Sequence, residues 1–336
     1  MVLVMIFDYF EHAAPTLVAW TRNESIIELV KDDICVIREG EIDHDLFIVE
    51  RGCTRITTTT ISGETINLNE EGRGGLVGEM GWLENRPAVA SVWAQAGSIL
   101  LRIKRTKLRT LETENDDVIS LLYQVIGYKL TLQIQSQNVW VHRYSDSEAE
   151  PIRKILVLFA ELNEQDVDWM RQLGEMRNVC PGEVVLEEGE QVVDVSLVLA
   201  GQARISVKRH GELKVVGSSR RGELLGEMSI LNNQQRTASA RVDTIQGLKL
   251  LSINIEKLRQ SLAEDKSRSV RFWRALAKML SQRSRDQLLE RGLAVRSREA
   301  EYAQDDEELD LNQLSRCSTA GLRFNWLCQQ YGQLLE

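Results

Sequence analysis

The sequence predicts an α+β protein of two tandem, jelly-roll-like β-sandwiches, each followed by helices. Three observations carry this. Residues 78–92 read GEMGWLENRPAVASV and residues 226–240 read GEMSILNNQQRTASA, and the two align without a gap 148 positions apart. The likeness extends in order to either side. Arg38-Glu39-Gly40 matches Glu187-Glu188-Gly189 and residues 46–52 match 195–201 at an offset of 149, while residues 97–103 match 247–253 and Leu108 matches Leu258 at 150. That drift is what a duplication leaves after loop changes of one or two residues. Each copy, finally, is made of short β-branched runs bounded by turn residues and is followed by stretches with helical spacing.

The elements follow in order. Residues 1–7 are apolar up to Asp8, with no basic stretch before them, and read as a buried strand or helix, not a signal peptide. Residues 35–37, 46–49, 55–61 and 66–68 read as strands, and Ser62-Gly63 and His210-Gly211 as hairpin turns, with His210 facing solvent. Helices are expected at 104–113 and 115–140, where Val118, Leu122, Val125 and Ile126 share a face, and again at 254–262 and 265–291, with Val270, Trp273, Leu276 and Leu280. Residues 144–151, polar and ending in proline, read as a linker, and 152–173 return to an amphipathic pattern. The domains are therefore drawn at 1–143 and 152–291, with a C-terminal tail, acidic then apolar, at 299–336.

Composition narrows the function. Of 336 residues, 43% are hydrophobic and 27% charged, and the net charge is −9. No apolar run approaches the ~18 residues of a membrane span. The acidic balance argues against a broad nucleic-acid surface. The cysteines at 35, 53, 180, 317 and 328 form no C-x-x-C pair, and the histidines at 12, 44, 142 and 210 do not cluster with them. They read as free thiols of a cytoplasmic protein, with no metal site and no cofactor. No Ser/His/Asp constellation is visible, so no catalysis is expected.

A glycine followed by an acid, a short apolar run, and a loop ending in arginine and small residues is a device for holding a ribose phosphate. With that cassette in place, residues 152–290 resemble a cyclic nucleotide-binding domain, the module of catabolite activator proteins, cyclic-nucleotide-dependent kinases and gated channels. The matching features are Leu158-Phe159, Leu162-Asn163-Glu164, Pro181-Gly182-Glu183-Val184 leading to Glu187-Glu188-Gly189, Leu199-Ala200-Gly201, and Gly226-Glu227-Met228 through Arg236-Thr237-Ala238-Ser239. Residues 24–140 resemble the same domain more weakly.

The expected ligand site is Gly226, Glu227, Met228, Arg236, Thr237 and Ser239. Glu227 would accept the ribose hydroxyl, since a buried acid needs such a partner. Arg236 would meet the cyclic phosphate, because a guanidinium fork matches two phosphate oxygens. Gly226 lets the backbone approach the ligand. Ser239 offers a hydroxyl to phosphate or base. The resemblance implies cyclic AMP as the ligand, with cyclic GMP as the alternative. Thr237 tilts toward the latter by one hydroxyl, a matter of about 0.5–1.5 kcal/mol.

The first copy keeps Glu79 but has Ala88 in the arginine column. Losing a charge-assisted bond to phosphate costs about 1.5–3 kcal/mol. The first domain is thus expected to bind poorly or not at all, with at most a weak site at Gly78, Glu79, Arg86 and Ser91. Trp82 reads as core. In the second domain Trp273 and Arg274 stand where a lid over the base would come from, with a core anchor as the plainer reading of Trp273. Arginines 268, 271, 274, 283, 285, 291, 296 and 298 read most simply as a solvated helix face, with an acidic partner as the sharper alternative.

The resemblance implies a regulator that passes its state to an effector protein and forms a homo-oligomer through helices 115–140 and 265–291. A scaffold with a decayed ligand site is the alternative. A DNA-binding regulator is disfavoured because the tail opens with acids from Glu299 to Asp310. The apolar tail is the expected partner-binding element.

Overall fold

The strands pair into four antiparallel sheets whose orders repeat. The computed structural model describes residues 14–138, 157–191, 193–209, 212–232, 238–297, 299 and 311–332. The apolar run at 1–7, the linker 144–151, His210, Arg236, Thr237 and Arg298 lie outside them. In the first copy β1 (Ile26–Leu29), β2 (Ile34–Ile37), β3 (Leu46–Arg51), β4 (Thr54–Thr59), β5 (Thr65–Glu71), β6 (Leu76–Val77), β7 (Ser91–Ala94) and β8 (Ile99–Ile103) form two sheets, ordered β1-β8-β3-β6 and β2-β7-β4-β5. In the second, β9 (Glu175–Val179), β10 (Val184–Leu186), β11 (Asp194–Ala200), β12 (Gln202–Arg209), β13 (Glu212–Arg220), β14 (Leu224–Leu225), β15 (Ser239–Val242) and β16 (Leu248–Asn254) form sheets ordered β9-β16-β11-β14 and β10-β15-β12-β13. Each strand of the second copy takes the place of its counterpart in the first.

The inner faces explain the pairing. Val30, Ile37, Phe47, Val49, Val92 and Leu100 meet in one sandwich, and Val179, Val198, Ile205, Val242 and Leu250 among others meet in the second. Even an irregularity is shared. The β3–β8 ladder slips between Val49 and Arg51, and the β11–β16 ladder slips between Val198 and Ala200, 149 residues on. A glycine with left-handed backbone ends each slipped strand, Gly52 at φ 90° and Gly201 at φ 88°. A Cβ on either would come within 2.3 Å of a neighbouring oxygen, so only glycine fits.

Helices flank both sandwiches: α1 (Pro15–Glu24), α2 (Glu79–Glu84), α3 (Arg105–Glu114), α4 (Asp116–Asn138), α5 (Glu164–Leu173), α6 (Glu227–Asn232), α7 (Ile255–Glu264), α8 (Lys266–Glu290) and α9 (Leu311–Gln330). Asn163 and Asp166 close a capping box at the head of α5, and Asn254 caps α7 through the backbone N–H groups of Glu256 and Lys257. The chain divides into two compact units, Met1–Leu130 with Leu280–Leu309, and Thr131–Met279 with Asp310–Glu336. The last turns of α8 and the residues after it therefore belong with the first sandwich, and α9 with the second.

Arg271, Arg274 and Arg285 of the arginine stripe pair with buried acids, while Arg296 is exposed. The guanidinium of Arg271 donates to both oxygens of buried Asp166, at 2.6 and 2.9 Å. Arg274 and Lys278 both reach Glu161, each at 2.7 Å. The acidic partner of these cations is the α5 region of their own unit. Arg285, on the first unit's part of α8, is fully buried. Charge and spacing mark an arginine as polar but do not reveal a buried acid far away in the chain.

The apolar tail is likewise used internally. Phe324 of α9 packs on Phe159 with centroids 5.1 Å apart, Arg323 donates to the Phe159 carbonyl at 3.0 Å, and Leu327 and Cys328 are buried. Only Leu322 and Trp326 remain as large exposed apolar residues of α9 among those described. Cys35, Cys53, Cys180 and Cys328 are free thiols. Among the described residues no helix is long and apolar enough to cross a membrane, and no group of three or more metal-ligating side chains stands together.

Candidate functional site

Each cassette begins where a two-residue strand ends. Gly78 after β6 has φ 94°, and Gly226 after β14 has φ 82°. A Cβ on Gly78 would lie 2.7 Å from the Asp45 carbonyl oxygen, so the turn needs glycine. The turn aims the next residue inward at the head of a one-and-a-half-turn helix. Glu79 is 3% exposed and Glu227 5%. Met228, behind Glu227, is buried as well.

The acid of the first cassette is held from within its unit. Lys129 of α4 donates to Glu79 Oε1 at 2.6 Å and to the Leu76 carbonyl at 2.6 Å. Burial alone would lower the pKa of this ammonium, but the attraction of Glu79 and Glu71 and the Glu79 hydrogen bond outweigh it and raise it. Glu71 is buried too. Desolvation pushes its carboxyl up, Lys129 pulls it back, and the like charge of Glu79 adds to the rise. The first cassette thus holds its acid with an internal cation. α4 starts at Asp116 and α8 at Lys266, and counting from these starts Met279 stands where Lys129 does. The lysine is not repeated.

The serines that close the cassettes act alike. Ser91 Oγ accepts the backbone N–H of Glu39 at 2.9 Å, and Ser239 Oγ accepts that of Glu188 at 2.9 Å. Each thereby ties the strand after its cassette to the Glu-Gly turn, and its own hydroxyl hydrogen is left to donate. The carboxylates of those turns also accept strand N–H groups: Glu39 from Thr59 at 2.8 Å and Glu188 from Lys208 at 2.5 Å. The repeated acids were legible as a match but not as latches. A serine and an acid recurring at nearly the same offset was the available signal.

Ala88, in the arginine column, is buried in the sandwich core beside Val30, Ile37 and Phe47. Arg86, the arginine nearest that column, places its Nη1 3.4 Å from Glu84 Oε2. Glu84 is 1% exposed and also accepts from Ser281 and, at 2.7 Å, from Arg285, itself 1% exposed. Both terminal nitrogens of Arg285 reach the Pro87 carbonyl at 3.1 Å, and Nη1 reaches Ser297 Oγ at 3.0 Å. Beyond α8, Ala294 N–H donates to Thr58 Oγ1 at 3.0 Å and Arg296 N–H to Glu39 Oε1 at 3.1 Å. Sequence reading missed Lys129 and Arg285, the two cations that organise this cassette.

Trp82 stacks on Tyr123, centroids 5.6 Å apart and planes 8° from parallel, which makes it core as expected. Trp273 is buried edge-on against Phe272 at 5.3 Å, and Phe272 in turn meets Trp169 of α5. With Arg274 on Glu161, both residues of the expected lid are engaged inside the second unit.

Two predictions follow from this geometry. Lys129→Met should cost the first unit about 3–5 kcal/mol in urea unfolding, since it strands a buried carboxylate. Adding Glu79→Leu should recover much of that loss, and a double variant as weak as the single would show that the ion pair is not the cause. His44 is buried under Gly78 and Gly81 and is unpartnered at Nε2. Burial lowers its pKa below the ordinary 6.5, against the opposing pull of the Asp45 carbonyl and Glu41. The folded state therefore holds it neutral, and the associated stability is complete above pH 6.5 and is lost as pH falls through the lower folded value. The melting temperature should drop more steeply from pH 7 to 5 in the parent than in His44→Asn, and equal slopes would remove His44 as the cause.

The family model of the cyclic nucleotide-binding domain matches residues 28–115 and 176–265, just over half of the chain. A cAMP-dependent protein kinase regulatory subunit of Blastocladiella emersonii is 21% identical over 207 residues, 61% of this chain and 45% of that protein. That of Yarrowia lipolytica is 24% identical over 225 residues, 66% of this chain and 51% of that protein. The chain spans about half the length of these curated relatives. Among solved structures, the regulatory domain of Toxoplasma gondii PKA with cAMP aligns over 82% of this chain and 92% of its own at 16% identity and a TM-score of 0.32. The regulatory subunit of a cAMP-independent protein kinase A from Trypanosoma cruzi, bound to guanosine, aligns over 71% and 74% at 18% identity and a TM-score of 0.30. Each matched stretch holds one sandwich and its cassette, and the chain accordingly belongs to the cyclic nucleotide-binding domain family, of which it carries two tandem copies.

Proposed function

We propose that the chain is a non-catalytic, cyclic-nucleotide-responsive regulator whose second cassette holds the ligand and whose first does not. The observation that carries this reading is the arginine column, where the second cassette has Arg236 and the first has Ala88, buried in its sandwich core. Within the first unit, Lys129 of α4 donates to Glu79. The second cassette also keeps the phosphate-binding pattern in its sequence. Gly226 turns the chain, Glu227 receives the ribose hydroxyls, Arg236 pairs with the cyclic phosphate, and Thr237 and Ser239 offer hydroxyls to the base and phosphate. Cyclic AMP is the first ligand to test and cyclic GMP the second.

A ligand moves a conformational equilibrium only by binding one state better than the other. Here the responsive elements are the helices after the cassette, α7 and α8, which relay the state to an effector protein in the cytoplasm and offer the surface for homo-oligomerisation. The names of the curated relatives make a protein kinase catalytic subunit the first effector to test. A scaffold role has one observation in its favour, the internally satisfied first cassette, and it describes that domain alone.

Isothermal titration of the full chain with each nucleotide tests the reading. Micromolar or tighter binding is expected for one of them, weakened about 10- to 150-fold in Arg236→Ala by loss of a charge-assisted bond of about 1.5–3 kcal/mol. The absence of heat with both nucleotides at two temperatures would turn the reading to a scaffold.

A further inference from the structure

We propose that the first cassette is a peptide site, and that its ligand is residues 291–297 of this same chain, bound in cis within the first unit. The inference is independent of whether the second cassette binds a nucleotide.

The contacts are those of peptide recognition. The segment gives its backbone N–H groups at Ala294 and Arg296 to Thr58 Oγ1 and Glu39 Oε1, at 3.0 and 3.1 Å, and the Gly292 carbonyl accepts the N–H of Ile61 at 3.1 Å. Ser297 Oγ donates to the Pro87 carbonyl at 3.2 Å, the residue just before the arginine column. Arg285, one turn before the end of α8, anchors the segment's start by filling the acceptors of Glu84 and Pro87. The seat is shaped to the chain. Ala294 and Ser297 are 0% exposed. Gly292 has φ 69°, and a Cβ there would come within 2.8 Å of Ile61 Cδ1. Ala294 has φ 57°, a conformation a non-glycine residue keeps only where its surroundings hold it.

The chemistry of the seat selects this occupant. Beside the Ile61 N–H, and Arg86 on Glu84 at 3.4 Å, its wall is built of acceptors: the carboxylates of Glu39 and Glu84, the Pro87 carbonyl and the Thr58 hydroxyl oxygen. Such a wall matches peptide N–H groups and a guanidinium and repels a phosphate. Thr58 Oγ1 gives its own hydrogen to the Val89 carbonyl at 3.2 Å, which fixes its lone pairs toward Ala294. The segment is tethered, so it acts at an effective concentration of about millimolar, and a free competitor has little access.

Hydrogen exchange on the full chain, read by mass spectrometry, tests this. The amides of Ala294 and Arg296 should exchange at least about a hundredfold more slowly than in a synthetic peptide of residues 284–297. Exchange at the free-peptide rate in the parent chain would overturn the proposal. In a second arm, Ala294→Asp places a carboxylate against this acceptor wall. That variant should lose the protection at 291–297 and should bind the synthetic peptide, while the parent does not. Equal binding of the peptide by parent and variant would also overturn it. If the variant fails to fold, the exchange rates of the parent still decide.

Discussion

Glu79 and Glu227 are carboxylates taken out of water at the head of a six-residue helix, and each must be met by donors. That requirement organises the molecule around it. A left-handed glycine is needed to turn the chain inward, the sandwich must close over the acid, and something must supply the hydrogen bonds that water gave up. In the first copy α4 supplies an ammonium. In the second, Met279 stands at the matching place, and in the proposed reading Glu227 also receives the ribose of a ligand.

The scaffold beneath the two cassettes is the same object built twice. Sheet orders correspond strand for strand, the ladders slip at the same place, and the slipped strands end on glycines that no other residue could replace. Differences between the copies are therefore differences of side chain on a common frame. Ala88, in the arginine column, belongs to the first core, and Lys129, where the second copy has Met279, holds Glu79. Residues 291–297 and Arg285 cover the rim of the first cassette with donors that suit the acceptors found there.

Much of this was legible in the chain before any coordinates. The gapless repeat of Gly-Glu-Met located both cassettes, and alternation and helical spacing placed α3, α4, α7 and α8 to within about two residues, the usual scatter of helix ends. Trp82 as core was implied by the resemblance, since the family has an aliphatic core residue at its place. The cations were not. Lys129 and Glu79 are 50 residues apart, and Arg285 and Glu84 are 201 apart. A period of 3.6 tells which residues share a face but not what that face meets. The arginines of α8 read as solvated because an acid such as Asp166 lies 105 residues from Arg271 in the chain. The tail looked available because the burial of Phe324 against Phe159 joins residues 165 positions apart.

In the proposed reading the second cassette holds a nucleotide and the first does not. Native mass spectrometry of the full chain at saturating cyclic AMP counts ligands directly. One nucleotide per chain is the expected result, and a second nucleotide on the same chain would contradict the account.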